Sequence, residues 1–192
     1  MTGLERKLFL KVNATKTKVV RPTKSKYLGF TFLKYGGEWK VKPTPEKKKA
    51  LRQKLSEYLK RNRAVARPLA VTIKRVNEIV RGWINYFRIG MMKQFMEELG
   101  AWIRHKIRVI IMKQWKIPKT IYRNLCYLNR KYRNGFKHED IFKVANSRLG
   151  WYKSSGMNVV NFIISPELLE NKIKDGAGLL NPLNYYLRNV GI

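Results

Sequence analysis

The sequence predicts an α+β protein that is mainly α, in which short antiparallel strands at the amino terminus precede a bundle of basic helices. β-branched and aromatic residues between turn signals fill the first 43 residues, and later apolar residues recur at helical spacing. Lys and Arg number 42 against 12 Asp and Glu, which gives a formal charge of +30. A hydrophobic content of 44% supports a packed core, so this is not a disordered basic tail.

The strands are predicted where β-branched and aromatic residues alternate between turn signals such as Gly36-Gly37. Prolines on both sides of Thr44 then stop the sheet. Thr44 followed by Pro45 is typical of a helix start, because Thr caps a helix and Pro fits its first position. The predicted strands cover residues 7–12, 16–21, 26–33 and 38–41.

The helices are predicted from stripes of apolar residues that would face a common core. The first runs from its Thr44 cap to about residue 62, and the next two cover about residues 72–87 and 92–115. Two more begin near residues 119 and 138. Beyond Gly150 the pattern breaks up, which predicts a short helix and packed loops rather than a new domain.

The charge predicts a polyanionic partner, and a nucleic acid is favoured because Lys and Arg release counterions from a phosphate backbone. A basic helix on a membrane surface or an acidic protein partner is the alternative. Cys126 is the single cysteine and is predicted to be a small buried hydrophobe, so neither disulfides nor a cysteine-based zinc site are expected. No secretory signal or long apolar segment is seen, which predicts a soluble intracellular protein without a membrane partner.

Two stretches carry a resemblance to a known family. Residues 10–18 read Leu-Lys-Val-Asn-Ala-Thr-Lys-Thr-Lys, and Leu-Gly-Phe follows at residues 28–30. This pair resembles the last palm strands of group II intron reverse transcriptases. Residues 76–87 read Val-Asn-Glu-Ile-Val-Arg-Gly-Trp-Ile-Asn-Tyr-Phe and resemble the signature of the maturase domain, or domain X, that forms the thumb. Residues 146–152 and 180–186 are similar to the end of bacterial members.

The resemblance implies three regions. Residues 1–43 would be the end of the palm with a primer-grip-like hairpin, residues 44–116 the three-helix thumb of the maturase-specific domain, and residues 117–192 the carboxy-terminal part of domain X. The hairpin would consist of Tyr27, Leu28, Gly29 and Phe30, where Leu28 and Phe30 could equally be ordinary buried strand residues. The structural positions of the signature motif would be Asn77, Gly82, Trp83, Tyr86 and Phe87.

Catalysis by this chain alone is not expected. Polymerases of the family hold two Mg²⁺ ions with palm aspartates, whereas Asp140 and Asp175 are the two aspartates of this sequence and follow the palm-like strands. The chain is therefore expected to bind no cofactor, with Mg²⁺ belonging to the full-length enzyme. His105 and His138 have no nucleophile and orienting acid near them in sequence, so no other catalytic site is predicted.

An RNA-binding surface is predicted on the helices. Arg81, Asn85 and Arg88 recur on one face of the second helix, opposite Trp83, and Gly82 is expected to allow close helix approach. Lys16 could contact phosphate or be a plain surface residue. The full predicted set is Lys16, Lys18, Lys48, Arg52, Arg81, Asn85, Arg88, Arg104, Arg108, Lys113, Arg123, Arg130 and Lys131.

The function predicted from the resemblance is that of an RNA-binding, carboxy-terminal fragment of a group II intron reverse transcriptase/maturase in the bacterial cytoplasm. It would bind intron RNA and template-primer duplex, and assist splicing and intron mobility. Two alternatives stay open. The chain could complete a separately encoded palm fragment and restore RNA-directed DNA polymerase activity, or it could be an inert product of a truncated pseudogene.

Overall fold

The computed structural model describes residues 20–171 and 178–190. The predicted strand at residues 7–12, most of that at residues 16–21, and the predicted RNA contacts Lys16 and Lys18 lie outside the described residues. The mainly α architecture with a small amino-terminal sheet is confirmed within the described ranges.

Within the described residues, the sheet has three antiparallel strands in the order β1 (Lys26–Tyr27), β2 (Phe30–Tyr35) and β3 (Glu38–Pro43). The prediction of a single strand over residues 26–33 is wrong, because Leu28 and Gly29 adopt positive φ angles, of 49° and 83° respectively. They form a two-residue turn that reverses the chain, and Tyr27 pairs with Phe30 across it. The predicted turn at residues 36–37 joins β2 to β3.

Three long helices form the bundle: α1 (Pro45–Tyr58), α3 (Leu69–Phe87) and α4 (Lys93–Trp115), with the one-turn α2 (Arg61–Ala64) after α1. Thr44 takes the extended conformation of a helix cap, as predicted. The prediction that the first helix reaches residue 62 is wrong, because Lys60 leaves helical geometry at φ −52° and ψ 119°. The second helix begins three residues earlier than predicted, directly after Pro68.

Shorter helices follow the bundle. The predicted starts near residues 119 and 138 are confirmed within one residue by α5 and α6, and the region beyond Gly150 holds several short helices instead of one. The last of them packs against α3 and α4, so the chain returns to the bundle. These helices are α5 (Pro118–Lys131), α6 (His138–Ala145), α7 (Gly150–Ser155), α8 (Asn158–Ile163), α9 (Pro166–Glu170) and α10 (Pro182–Val190).

One hydrophobic core runs through the bundle and the later helices. Ile84 and Ile107 of the bundle are fully buried, and Leu125 and Ile163 from the later helices belong to the same cluster. The division at residues 116 and 117 stays a prediction, and the two sides of that boundary share this core. In the described ranges, none of the helices combines the length and apolar composition that crossing a bilayer requires.

Candidate nucleic-acid interface

The aromatic end of α3 holds the hairpin between β1 and β2. The hydroxyl of Tyr86 donates a hydrogen bond to the Leu28 carbonyl at 3.1 Å, and the rings of Phe87 and Phe30 lie 5.0 Å apart. The alternative of a buried strand is wrong for Leu28, whose side chain is 63% exposed. The four residues form a hairpin, and its part in gripping a primer stays a prediction.

Gly29 is required by the geometry of this turn. Its φ of 83° disfavours any residue with a side chain, and an added Cβ would lie 3.0 Å from Cε of Lys47. The Gly29 carbonyl accepts a hydrogen bond from the backbone N–H of Thr44 at 2.9 Å. The turn is therefore fixed against the start of α1 as well as against α3.

Two asparagines on α3 hold the carboxy-terminal segment. The buried carboxamide of Asn77 donates to the Gly178 carbonyl and accepts from the Leu180 N–H, both at 2.8 Å. Asn85 accepts a hydrogen bond from the hydroxyl of Tyr185 on α10 at 3.0 Å. Much of the signature motif thus joins parts of the protein that are distant in sequence.

The same helix presents Arg81, Asn85 and Arg88 to solvent, as predicted. The expectation that Gly82 allows another helix to approach is wrong, because outside its own helix no described atom lies within 4 Å of an added Cβ. Trp83 faces inward, with its ring 4.4 Å from that of Phe87 and 5.5 Å from that of Phe95. The RNA contacts of the three polar residues stay predictions.

A large basic groove lies between β2, β3, α1, the start of α4 and the end of α10. Its volume is about 1050 Å³, and its apolar walls include Leu33, Met91, Phe95 and Leu187. Among the described residues of this lining, the acidic one is Glu98. The cations that line the basic groove are Lys40, Lys42, Lys48, Lys49, Arg52 and Lys93.

Lys48 of the basic groove is partly desolvated and lies among other cations. Burial is the main cause that lowers the pKa of Lys48, and repulsion from Lys42 and Arg52 adds to it, while Glu98 acts in the opposite direction. The ammonium of Lys48 lies 5.1 Å from the centre of the Phe95 ring, and the Arg52 guanidinium lies 5.5 Å from it. An anion in the basic groove would relieve this repulsion.

Sequence reasoning predicted Lys48 and Arg52 in this region but missed Lys40, Lys42, Lys49 and Lys93. The signal was present for the two strand residues, because side chains two positions apart lie on one face of a strand. Lys40 pairs with Leu33 across the hairpin, so that face continues onto β2. No sequence pattern predicts Lys93 in the basic groove, because its position there depends on the turn between α3 and α4.

The segment from α1 to α5 matches a known family model. Residues 48–128 match the family described as group II intron, maturase-specific domain. The chain contains a group II intron maturase-specific domain. The match covers the signature motif and four of the six groove cations, which are Lys48, Lys49, Arg52 and Lys93. A search of curated proteins gave no match to the chain.

Arg108 lies within the maturase-specific domain but not on its surface, so the predicted surface position was wrong. Its side chain is 6% exposed, and its Nε donates to the Ile164 carbonyl at 2.8 Å. Its Nη2 donates to the Asn161 carbonyl at 3.3 Å, so the guanidinium caps the end of α8. Burial first and then Arg104 lower the pKa of Arg108 to about 10. The flanking apolar run from Ile107 to Met112 was the signal for burial.

The remaining predicted cations lie elsewhere than the basic groove. Arg104 is half-buried in a separate cavity beside His105, and Lys113 is half-buried on α4. Arg123, Arg130 and Lys131 are exposed on α5, where the Lys131 ammonium lies 5.8 Å from the Tyr127 ring. From the predicted set, the structure brings together Lys48 and Arg52 in the basic groove, and Arg104 and Arg108 at the separate cavity.

Cys126 is partly exposed, so the prediction of a buried hydrophobe is wrong. Its Sγ lies 3.6 Å from Nδ1 of His138, and the Tyr122 hydroxyl lies 3.0 Å from the same nitrogen. The contact with Cys126 raises the pKa of Tyr122. In the described ranges, no three His, Cys, Asp or Glu side chains come together as metal ligands would.

Proposed function

We propose that this chain binds the structured RNA of a group II intron through the basic groove and thereby assists splicing. The observation that carries the proposal is the concentration of six cations in one groove, four of them inside the maturase-specific domain. The RNA would do the splicing chemistry, and the protein would stabilise its folded form.

The chemistry of the basic groove suits a folded RNA. Helical RNA is recognised mostly through its shape, its phosphates and its 2′-hydroxyl groups. Lysine and arginine would supply the phosphate contacts, and the partial burial of Lys48 beside Phe95 limits the hydration of its ammonium. Crowding of Lys42, Lys48 and Arg52 disfavours the free state, so part of the binding free energy would come from its relief.

Binding of a group II intron transcript tests the proposal. The purified chain is titrated into the labelled transcript, and into an unstructured RNA of equal length, over a series of salt concentrations. We expect tighter binding of the transcript and an affinity that falls linearly on logarithmic axes as salt rises. Equal affinity for both RNAs, or binding that ignores salt, would contradict the proposal.

A splicing assay gives the functional readout. Because the protein would stabilise the folded intron, adding it is expected to lower the Mg²⁺ concentration at which the transcript splices. The proposal would be contradicted if the protein binds the transcript but the Mg²⁺ concentration required for splicing stays the same.

The proposal has two further parts, binding of template-primer duplex and binding of a separately encoded palm fragment. The first is tested with the duplex as ligand, and the second by co-expression of the two chains.

A further inference from the structure

A small pocket lies where the bundle meets the later helices, and we name it the Trp151 pocket. Its volume among the described residues is about 290 Å³. The pocket shares no lining residue with the basic groove, so it is a separate feature of the protein. Its apolar walls come from four helices and include Met112 on α4, Ile121 on α5, Val144 and Ala145 on α6, and Trp151 on α7.

The connection between α4 and α5 is strained at the edge of the Trp151 pocket. Lys116 has φ 62° and ψ −67°, and the Ile117 N–H donates to the Trp115 carbonyl across it at 2.8 Å. This is a γ-turn of the rare kind with positive φ. Such strain costs about 1–3 kcal/mol and is concentrated at functional sites. Glycine would adopt this turn more easily, so a lysine here indicates a use for its side chain.

The lining of the pocket combines an aromatic wall with two cations. Lys116 and Arg148 are exposed lining residues, and no acidic side chain occurs among the described residues of the lining. Trp151 offers a ring against which a flat group can stack, and Ser154 adds a hydroxyl to the lining. The pocket therefore suits a ligand with a flat apolar part, a polar edge and an adjoining negative charge.

A single nucleotide has these three parts. Unpaired bases in RNA are recognised by stacking on aromatic side chains and by hydrogen bonds to their edges. The size also agrees, because a cavity of about 150 Å³ holds one benzene ring, and the Trp151 pocket has room for the one or two rings of a base. Lys116 and Arg148 supply the complementary charge for the phosphates beside that base.

We propose that the Trp151 pocket receives one unstacked base of the bound RNA. The base packs against Trp151, and the phosphates on either side of it contact Lys116 and Arg148. This inference rests on the proposed function and adds to it the recognition of an unpaired nucleotide. An acidic peptide with an aromatic side chain is the competing occupant, and it is included in the test.

The first experiment observes the pocket itself. The chain is labelled with ¹⁵N-tryptophan, and the indole signal of Trp151 is assigned among the five tryptophans by its loss in Trp151→Phe. The four ribonucleoside monophosphates are titrated, with ribose 5-phosphate as the matched probe that lacks a base. We expect a nucleotide to shift the Trp151 signal and ribose 5-phosphate to leave it in place. No shift with any nucleotide, an equal shift with ribose 5-phosphate, or a shift only with an acidic tyrosine-containing peptide would overturn the inference.

The second experiment measures affinity for the intron transcript. Lys116→Gly removes the cation and relieves the strained turn. Arg133→Gly is the matched control, because Arg133 is an exposed cation with φ 53° that does not line the Trp151 pocket. Both variants lose one positive charge and place glycine at a positive φ, where it fits with little strain. Thermal melting checks that both are folded.

We expect Lys116→Gly to lower the affinity for the transcript by about tenfold and Arg133→Gly by about threefold or less. Equal losses would overturn the inference even if nucleotides shift the Trp151 signal, because the pocket would then bind a free nucleotide and not a base of the transcript. The proposed function would stand in that case, since it depends on the basic groove. If Lys116→Gly does not fold, the titration of the unmodified chain with nucleotides decides. If the unmodified chain does not bind RNA, both proposals fail.

Discussion

The side-chain carbonyl of Asn77 accepts a hydrogen bond from the backbone N–H of Leu180 at 2.8 Å, although 103 positions separate the two residues. The same carboxamide donates to the Gly178 carbonyl. These two bonds place the segment that precedes α10 against the middle of α3. From there Tyr186 reaches the turn after α3, where its hydroxyl donates to the Gly90 carbonyl at 2.9 Å. One buried amide thus helps to place the wall that α10 contributes to the basic groove.

Replacing Asn77 with Ala is expected to destabilise the protein by about 2–4 kcal/mol, because a backbone N–H and a carbonyl would each lose a partner in a partly buried place. Unfolding in urea measures the change. Asn85→Ala is the control, since it loses one bond at an exposed site and should cost at most about 1 kcal/mol. Equal costs for the two substitutions would contradict this account of Asn77.

The hairpin contacts of α3 should differ in strength. Phe87→Ala removes a buried ring that contacts Phe30 and Trp83, and is expected to cost about 3–5 kcal/mol. Tyr86→Phe keeps the ring and loses only the bond to the Leu28 carbonyl, for about 0.5–1.5 kcal/mol. Thermal melting with a two-state fit compares them. A larger loss for Tyr86→Phe would mean that the hydroxyl, rather than the packed rings, fixes the hairpin.

The helices were predictable because their apolar residues follow a strict helical period. On α3, for example, Ile73, Val76, Val80 and Ile84 recur on one side of the helix. These residues are buried as expected. The turn at Leu28 was harder, because leucine rarely adopts a positive φ and the segment otherwise has the composition of one strand. The short helices after Gly150 depend on packing against α4 and α5, and the local sequence does not predict these contacts.

The candidate site was only partly predictable, because charge alone does not tell a surface cation from a buried one. Arg108 caps α8, which begins fifty residues later in the chain, and the sequence around Arg108 does not predict that contact. Lys93 enters the basic groove only once α3 and α4 are packed together. Lys48 and Arg52 were predictable because Leu51 and Leu55 mark the packed side of α1, and these two cations lie one turn apart along the border of that side.

His105 should titrate below its ordinary pKa of 6.5. Burial is the main cause, and the neighbouring cations Arg108 and Lys106 add to it. The unfolded chain therefore binds a proton before the folded one does as pH falls. Stability from this group is full above pH 6.5 and is lost as pH drops toward the folded-state pKa.

Proton NMR of the imidazole measures the His105 pKa directly, because the chain has only two histidines to assign. His105→Gln is the comparison, and it should flatten the dependence of stability on pH in the window below 6.5. A His105 resonance that titrates above 6.5 would contradict the effect of burial and of the two cations.

Primer extension should give no product with this chain alone. The sequence has two aspartates, Asp140 and Asp175, and a two-metal polymerase site needs carboxylates placed together on a palm. The assay supplies an RNA template, a DNA primer, nucleotides and Mg²⁺, with a complete reverse transcriptase as the positive control. Elongation of the primer by the purified chain would refute the prediction, and elongation only after co-expression with a separate palm fragment would support assembly.

Removing two cations from the basic groove should change the salt dependence of RNA binding. The double variant Lys48→Gln and Arg52→Gln is expected to reduce the slope of log affinity against log salt by about two, because each phosphate contact contributes nearly one. Stability should change little, since the exposed ion pair of Arg52 with Glu98 at 3.2 Å contributes at most about 1 kcal/mol.

The control for the groove variant is Lys119→Gln with Lys143→Gln, two exposed lysines that do not line the basic groove. Both double variants lose two positive charges, so a difference between them measures position rather than net charge. We expect the control to keep the slope of the unmodified chain within about half a unit. Equal changes in slope would mean that RNA responds to the overall charge of +30 and not to the basic groove.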